Sequence, residues 1–199
     1  MARKPTITQQ QIIDTALDCF LEKGFEETTF KQITDKLGVS QPALYQYFNN
    51  KMDLLIACSL ASAEKGRSYI DSQINPKDNA ITRLEQYIEA NFTFFKKSPK
   101  EAFALAAIYF FSLTHPEVRA IYQQIQIKSI ERLEAVLMQI SYEKGQKLFN
   151  SLRLAEMIQS FMVGETYKKI YLTKKEKRDE KDEYIMKYLK ILIDSSFIH

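Results

Sequence analysis

The 199-residue chain has no tryptophan, two cysteines, two histidines, five glycines and five prolines. Each shortage closes off a class of protein. Cys19 and Cys58 stand among apolar neighbours, with no CxxC spacing and no histidine near them in sequence, so they read as buried thiols rather than a disulfide or a metal site. The histidines are His115 and the terminal His199, and the chain holds no HExxH, no GxSxG and no Gly-rich phosphate loop. A nucleophile with its base, a metal cluster and a bound nucleotide all lack their residues. We therefore expect no catalytic residue, no metal and no cofactor. Ten Gly and Pro together leave few places to turn, which disfavours a strand-and-turn architecture and favours long helices. No uninterrupted apolar run approaches the ~18 residues of a membrane span, and the opening MARKPTIT has no apolar core of a signal peptide. The expectation is a cytoplasmic protein with no membrane partner.

What the chain does have is 45% hydrophobic and 27% charged residues, enough to bury a core. The formal net charge is +3, yet residues 1 to 60 hold six Lys/Arg against seven Asp/Glu, a net charge of −1 that speaks against simple electrostatic adhesion to nucleic acid.

Helical periodicity runs through the whole sequence. Ile12, Ile13, Ala16, Leu17, Phe20 and Leu21 recur at three- and four-residue steps, with Thr8 available as N-cap and Gly24 as the stop, which predicts a helix over about 9–23. Thr29 caps a second helix carrying Phe30, Ile33 and Leu37, which ends at Gly38. Ser40 is positioned to cap a short third helix. Asn50 with Asp53 resembles a capping box that opens a fourth, over about 51–74. Asn75-Pro76, Ser98-Pro99 and His115-Pro116 punctuate further helices near 79–97, 99–114 and 116–142, and two more span about 151–172 and 180–196. The mixed-sign run KKEKRDEKDE, 174 to 183, reads as a solvated loop. No period-2 segment bounded by hairpin turns occurs, so the predicted class is all-α with about nine helices. The predicted organisation is a three-helix domain over 1–50, helix 4 over about 51–74 as connector, and a larger helical domain over 51–199.

The second and third helices, separated by Gly38 and Val39, have the spacing of a helix-turn-helix. Ile33, Leu37, Val39 and Leu44 are apolar where such a pair must pack, and Gly38 falls where the backbone must turn left-handed. On a helical wheel of roughly 100° per residue, Phe48 lies about 40° from Leu44, and these two mark a buried side. Pro42 and Gln46 fall nearly opposite, with Ala43 and Tyr45 on the flanks. That outward face suits DNA. Glutamine bonds an adenine edge bidentately, an exposed Ala or Pro touches a thymine methyl, and tyrosine hydroxyls reach phosphates. Tyr45 and Tyr47 have an equally good reading as packing residues. Pro42 is tolerated because the first turn needs no amide from it.

In order, ALDCFLEKGFEETTFKQITDKLGVSQPALYQYFNNKMDLL presents an Ala/Leu/Phe helix, Gly-Phe, Thr-Thr, Ile, Gly-Val-Ser, Leu-Tyr, Tyr-Phe and Lys. Over residues 8 to 58 this resembles the DNA-binding domain of the TetR family of transcriptional regulators. The resemblance implies an all-helical homodimer that binds a near-palindromic double-stranded DNA operator and releases it when a small molecule occupies the larger domain. It also implies the contact set: Ser40, Gln41, Pro42, Ala43, Tyr45, Gln46 and Tyr47, with Thr29 and Lys51 on phosphate. The residues themselves agree for Thr29 and Lys51, since each opens a helix whose free amides attract an anion. Thr34 departs from the family's small Ala, and fits if its hydroxyl bonds back to the backbone.

Eight of the 24 aromatic residues crowd into residues 87 to 111. They are either a bundle core or the lining of an apolar pocket for an unknown small-molecule effector. The residues of such a pocket would be Tyr87, Asn91, Phe92, Phe95, Phe103, Phe110, Phe111, His115, Met138, Phe161, Met162 and Glu165, with Asn91, His115, Gln124 and Glu165 as polar groups and the methionines as adaptable wall. The last two helices carry more apolar arc than one packing face needs, which predicts a dimer interface including Leu154, Ile158, Ile185, Tyr188, Leu189 and Leu192; in the family these helices form a four-helix bundle across the two-fold axis. The expected function is a ligand-released repressor. The rival is a helix-turn-helix DNA-binding or interaction protein that senses no ligand.

Overall fold

The computed structural model of the protein describes residues 7–168 and 183–198. The MARKPT segment, the charged run from 174, the predicted helical residues 169–172 and 180–182, and His199 lie outside the described residues. Nine α-helices occur among the described residues: α1 (Gln9–Lys23), α2 (Phe30–Leu37), α3 (Gln41–Tyr45), α4 (Lys51–Gln73), α5 (Ala80–Lys97), α6 (Pro99–Ser112), α7 (Pro116–Lys144), α8 (Ser151–Tyr167) and α9 (Glu183–Asp194). The only strand-like feature among them is an isolated antiparallel bridge, Leu148 to Phe197.

Helix ends follow from local chemistry. Thr8 and Thr29 each form a full capping box, with Gln11 and Gln32 returning to the cap amide. Ser40 has the extended backbone of a cap residue but makes no side-chain cap bond. A cap hydroxyl serves the second and third amides of the helix; Pro42 has none, and the amide of Ala43 already donates to the Ser40 carbonyl at 3.0 Å. At α4 the box is half made. Asn50 Oδ1 accepts from the Asp53 amide at 2.9 Å, while the Asp53 carboxylate accepts from Asn49 at 3.1 Å. α6 stops at Ser112 rather than 114, where the Arg119 guanidinium donates to the carbonyls of Ser112 and Leu113.

The chain divides into two compact units. The first holds Met1–Gly66 and Lys97–Gln123, so α6 and the start of α7 share a unit with the helix-turn-helix segment. Its core is Ile12, Ala16, Phe20, Phe30, Ile33, Leu44, Phe48, Leu54, Leu55 and Cys58, with Ala104 from α6 buried among them. α6 packs along α1, its Lys100 paired with Asp18 at 2.5 Å and its buried Glu101 paired with Lys65 of α4. Ser59 adds a bond to the Ala104 carbonyl at 3.1 Å. The second unit holds Arg67–Lys96 and Gln124–His199. Its core draws on α5, α7, α8 and α9, among them Leu84, Tyr87, Ile88, Leu133, Leu137, Leu154, Ile158, Ile185 and Leu189. A side-chain chain crosses it: Tyr87 Oη to Ser129 at 3.2 Å, Ser129 to Gln159 at 3.0 Å, Gln159 to Gln126 at 3.1 Å.

Candidate nucleic-acid interface

The turn between α2 and α3 is built on Gly38, whose φ of 66° and ψ of 31° are left-handed values that a side chain disfavours. The Gly38 and Val39 amides bond back to Asp35 and Thr34, closing α2. Thr34 is buried, and its hydroxyl donates to the Lys31 carbonyl at 2.9 Å, so the larger residue fits without an orphaned polar group. α3 is only five residues long, but the amides of Tyr47 and Phe48 still bond to the Leu44 carbonyl, which carries one more turn past its end. Leu44 and Phe48 are therefore both buried, at 0% and 4% exposure. Ser40, Gln41, Pro42 and Gln46 are exposed and Ala43 half-buried, and Thr29 is exposed at the start of α2.

The two tyrosines differ from one another. Tyr45 is 54% exposed, with its ring 5.1 Å from that of Phe30. Tyr47 is less exposed, and its hydroxyl donates to the Ile7 carbonyl at 2.6 Å, tying the turn after α3 to the entry of α1. Lys51 is half-buried. Its ammonium donates to the carbonyls of Phe25 at 2.7 Å and Glu26 at 2.8 Å and lies 4.6 Å from the centre of the Phe25 ring.

Charge near this face is locally compensated. Lys31 pairs with Asp35 at 2.6 Å, and Lys36 with Glu22 of α1 at 2.7 Å, the latter bond raising the lysine pKa. Burial raises the thiol pKa of both Cys19 and Cys58, which makes them inert protonated core groups. No group of three or more His, Cys, Asp or Glu able to hold a metal occurs among the described residues.

The family model described as bacterial regulatory proteins, tetR family, matches residues 12–58, the segment that forms this helix-turn-helix and its support. Residues 12–58 of this chain are thus a TetR-family DNA-binding segment. The transcriptional activator FasR of Mycolicibacterium smegmatis is 25% identical over 145 residues, 73% of this chain and 64% of that protein. The regulator SrpR of Pseudomonas putida is 43% identical over 61 residues, 29% of each chain. The chain thus spans less than two thirds of these relatives. A transcriptional regulator from Saccharomonospora viridis, solved in complex with choline, has the same fold, with a TM-score of 0.77 at 16% identity over 96% of this chain and 97% of that one.

The first compact unit takes in residues that sequence reasoning placed elsewhere. Phe103 and Phe111 pack against its core, Phe111 4.7 Å from the Phe25 ring and 5.7 Å from His115, while Phe110 is 65% exposed. The signal was available in α6, which is apolar on nearly every side and must therefore find more than one neighbour. The remaining pocket residues lie in the second unit. Tyr87 and Met162 are buried in its core, Phe92 and Phe161 pack against it, and Asn91 donates to the Tyr87 carbonyl at 2.8 Å. Phe95 packs edge-on against Phe94. Met138 points outward at 54% exposure, and Glu165 pairs with Lys168 at 3.2 Å. The twelve are divided between the two compact units.

The six expected dimer residues differ in how much surface a single chain leaves them. Leu154, Ile158, Ile185 and Leu189 are at most 3% exposed within a single chain and form the inward faces of α8 and α9. A side chain already buried has little area left to give a partner. Tyr188 is exposed and Leu192 half-buried, and the outward apolar band continues through Leu152, Met157, Tyr184 and Ile191. Between the two helices runs an open groove of about 460 Å³ lined by Met157, Ser160, Phe161, Tyr188, Leu189 and Leu192, with Arg153 and Glu156 also lining it.

Proposed function

We propose that the protein is a DNA-binding regulator of transcription that acts as a homodimer on a near-palindromic operator and is released from it by a small apolar or aromatic molecule. The observation that carries the DNA reading is the division of the recognition segment. Leu44 and Phe48 are sunk in the core, while Gln41, Pro42, Tyr45 and Gln46 stand exposed on a segment too short to need so polar and aromatic a surface for its own sake. Gln46 is the base reader, its amide matched to an adenine edge; Pro42 and Ala43 meet thymine methyls; Ser40, Tyr45 and the Thr29 hydroxyl hold phosphates.

With its lysines paired to carboxylates, each half-site supplies little free positive charge, so specificity rests on base contacts and a shallow salt dependence follows, each neutralised phosphate contributing about −0.9 to the slope. A two-fold dimer compensates by presenting two recognition segments one helical turn of DNA apart, about 34 Å. The outward apolar band of α8 and α9 supports that dimer, since a contiguous apolar face on two adjacent helices is what an isologous interface buries.

We place effector binding in the second unit, whose core holds Tyr87 and Met162 with Phe92 and Phe161 packed against it, and whose Tyr87–Ser129–Gln159 chain can exchange internal hydrogen bonds for ligand ones. The structurally similar regulator holding choline supports a small-molecule site in this fold. Release is linkage: a ligand preferring the conformation with wrongly spaced recognition segments weakens DNA by its differential affinity, about 1–3 kcal/mol in typical couplings. A protein that occupies its operator only without ligand acts most simply by blocking transcription. The DNA reading is tested by selection from a random duplex pool, which should return a two-fold symmetric site; no enrichment refutes it. The effector reading is tested by a thermal-shift screen of apolar and aromatic compounds, with the cation choline run beside them: an apolar or aromatic compound that stabilises the protein and lowers its operator affinity supports it, and stabilisers without effect on DNA count against it.

A further inference from the structure

We propose that Lys51 is a positioning residue for the DNA-reading face rather than a phosphate contact, an inference that rests on the DNA-binding reading above. The ammonium of a surface lysine at a helix start is ordinarily solvated and mobile. Here two of its three protons are committed, to the Phe25 and Glu26 carbonyls at 2.7 and 2.8 Å, and the charge sits 4.6 Å from the Phe25 ring centroid. The Phe25 ring is itself held, 5.4 Å from Phe20 of α1 and 4.7 Å from Phe111 of α6.

The two carbonyls belong to the α1–α2 turn, which is locked on its far side by buried Thr28, whose hydroxyl donates to the Gly24 carbonyl at 2.7 Å and the Cys19 carbonyl at 3.1 Å. Thr29, next in sequence, caps α2. Lys51 opens α4, and only residues 46 to 50 separate it from the end of α3. One ammonium therefore ties the entry of α2 to the exit of α3. The helix-turn-helix is fixed at both ends, and the Phe25 ring under that ammonium is wedged by Phe111 from α6. A lysine spent in this way holds the angle at which Gln46 and its neighbours are offered, and acts on DNA through them.

Phosphate contact and positioning make opposite demands on the salt slope, which separates them. The variants are Lys51→Met, which keeps the alkyl stem, and Lys51→Arg, which keeps charge and donors. Operator affinity is measured by fluorescence anisotropy across a salt series. Positioning predicts that Lys51→Met weakens binding roughly tenfold with the slope of log K against log salt unchanged, and that Lys51→Arg restores most of the affinity. Phosphate contact predicts a slope shallower by about 0.9 per half-site, about 1.8 for a dimer, and that result overturns the proposal. A second arm uses no DNA. Hydrogen exchange of the Gly24–Thr28 amides should quicken roughly tenfold in Lys51→Met while the α5 amides stay unchanged; unaltered exchange in the turn also overturns it. Failure of the wild-type protein to bind any selected duplex would sink the DNA reading, and the exchange arm would still decide the pin.

Discussion

Replacing Leu44 by Ala tests how the recognition segment is held. Leu44 is fully buried and is the one buried side chain that α3 contributes to the core. Removing its terminal isopropyl group forfeits roughly 0.8 kcal/mol for each methylene-sized group, about 2.4 kcal/mol for three, before any cavity is counted. Leu→Ala changes at buried sites run about 2.7–5 kcal/mol, the higher values belonging to sites that cannot collapse. A five-residue helix between two turns is freer to settle inward than the middle of a long one, so we expect about 3 kcal/mol. If the chain unfolds as one cooperative system, that corresponds to a fall in Tm of about 6–12 °C for a protein of this size. Urea titration by circular dichroism gives the free energy, and anisotropy on the selected operator gives the consequence for DNA. Operator affinity should drop at temperatures where the protein is still folded, because the loosened segment must be ordered again on binding. A loss under about 1 kcal/mol with unchanged operator affinity would show that Leu44 does not anchor the reading face.

A charge placed in the outward band of α9, Tyr188→Glu, should weaken the dimer at least tenfold in equilibrium sedimentation at micromolar protein, whereas a wild-type monomer under the same conditions would undo the dimer proposal. Burial, with a smaller contribution from Asp14, raises the Cys58 thiol pKa in the folded chain, so the unfolded chain gives up its proton first as pH rises. The stabilisation associated with the protonated buried thiol is complete below the ordinary thiol pKa of about 8.5 and is lost progressively above it. The stability difference between the wild type and Cys58→Ala should therefore shrink by about 2 kcal/mol between pH 7 and pH 10 in urea titrations, and a constant difference would mean the thiol is not buried as described.

The first four helix boundaries were readable because their signals are local. Thr8, Thr29, Gly24 and Gly38 each mark an end by chemistry confined to a single turn, and the opposed positions of Leu44 and Gln46 need only a helical wheel. The faces of α9 were not readable in the same way. Ile185, Leu189 and Ile193 turn inward while Tyr184, Tyr188 and Ile191 stand outward, and both sets are apolar at helical spacing. Periodicity shows that α9 has two apolar arcs; which one meets its own chain depends on α5, α7 and α8. The aromatic run over 87 to 111 misleads for a related reason. Its residues are close in sequence but straddle the break at Ser98-Pro99, and α5 and α6 belong to different compact units. Lys51 illustrates a third limit. Its partners are backbone carbonyls 25 and 26 residues away, and no residue type in the sequence announces a carbonyl that is waiting for a donor.

The central claim is that the exposed face of the α3 segment reads DNA bases, with Gln46 first among its residues. Parallel selections from one random duplex pool, with wild type and Gln46→Ala, test it most directly. We predict that the wild type returns a near-palindrome, and that the variant returns sites with relaxed preference at the one base pair per half-site that Gln46 reads, a difference of about 1–3 kcal/mol in discrimination there. An identical consensus from both proteins would contradict the account.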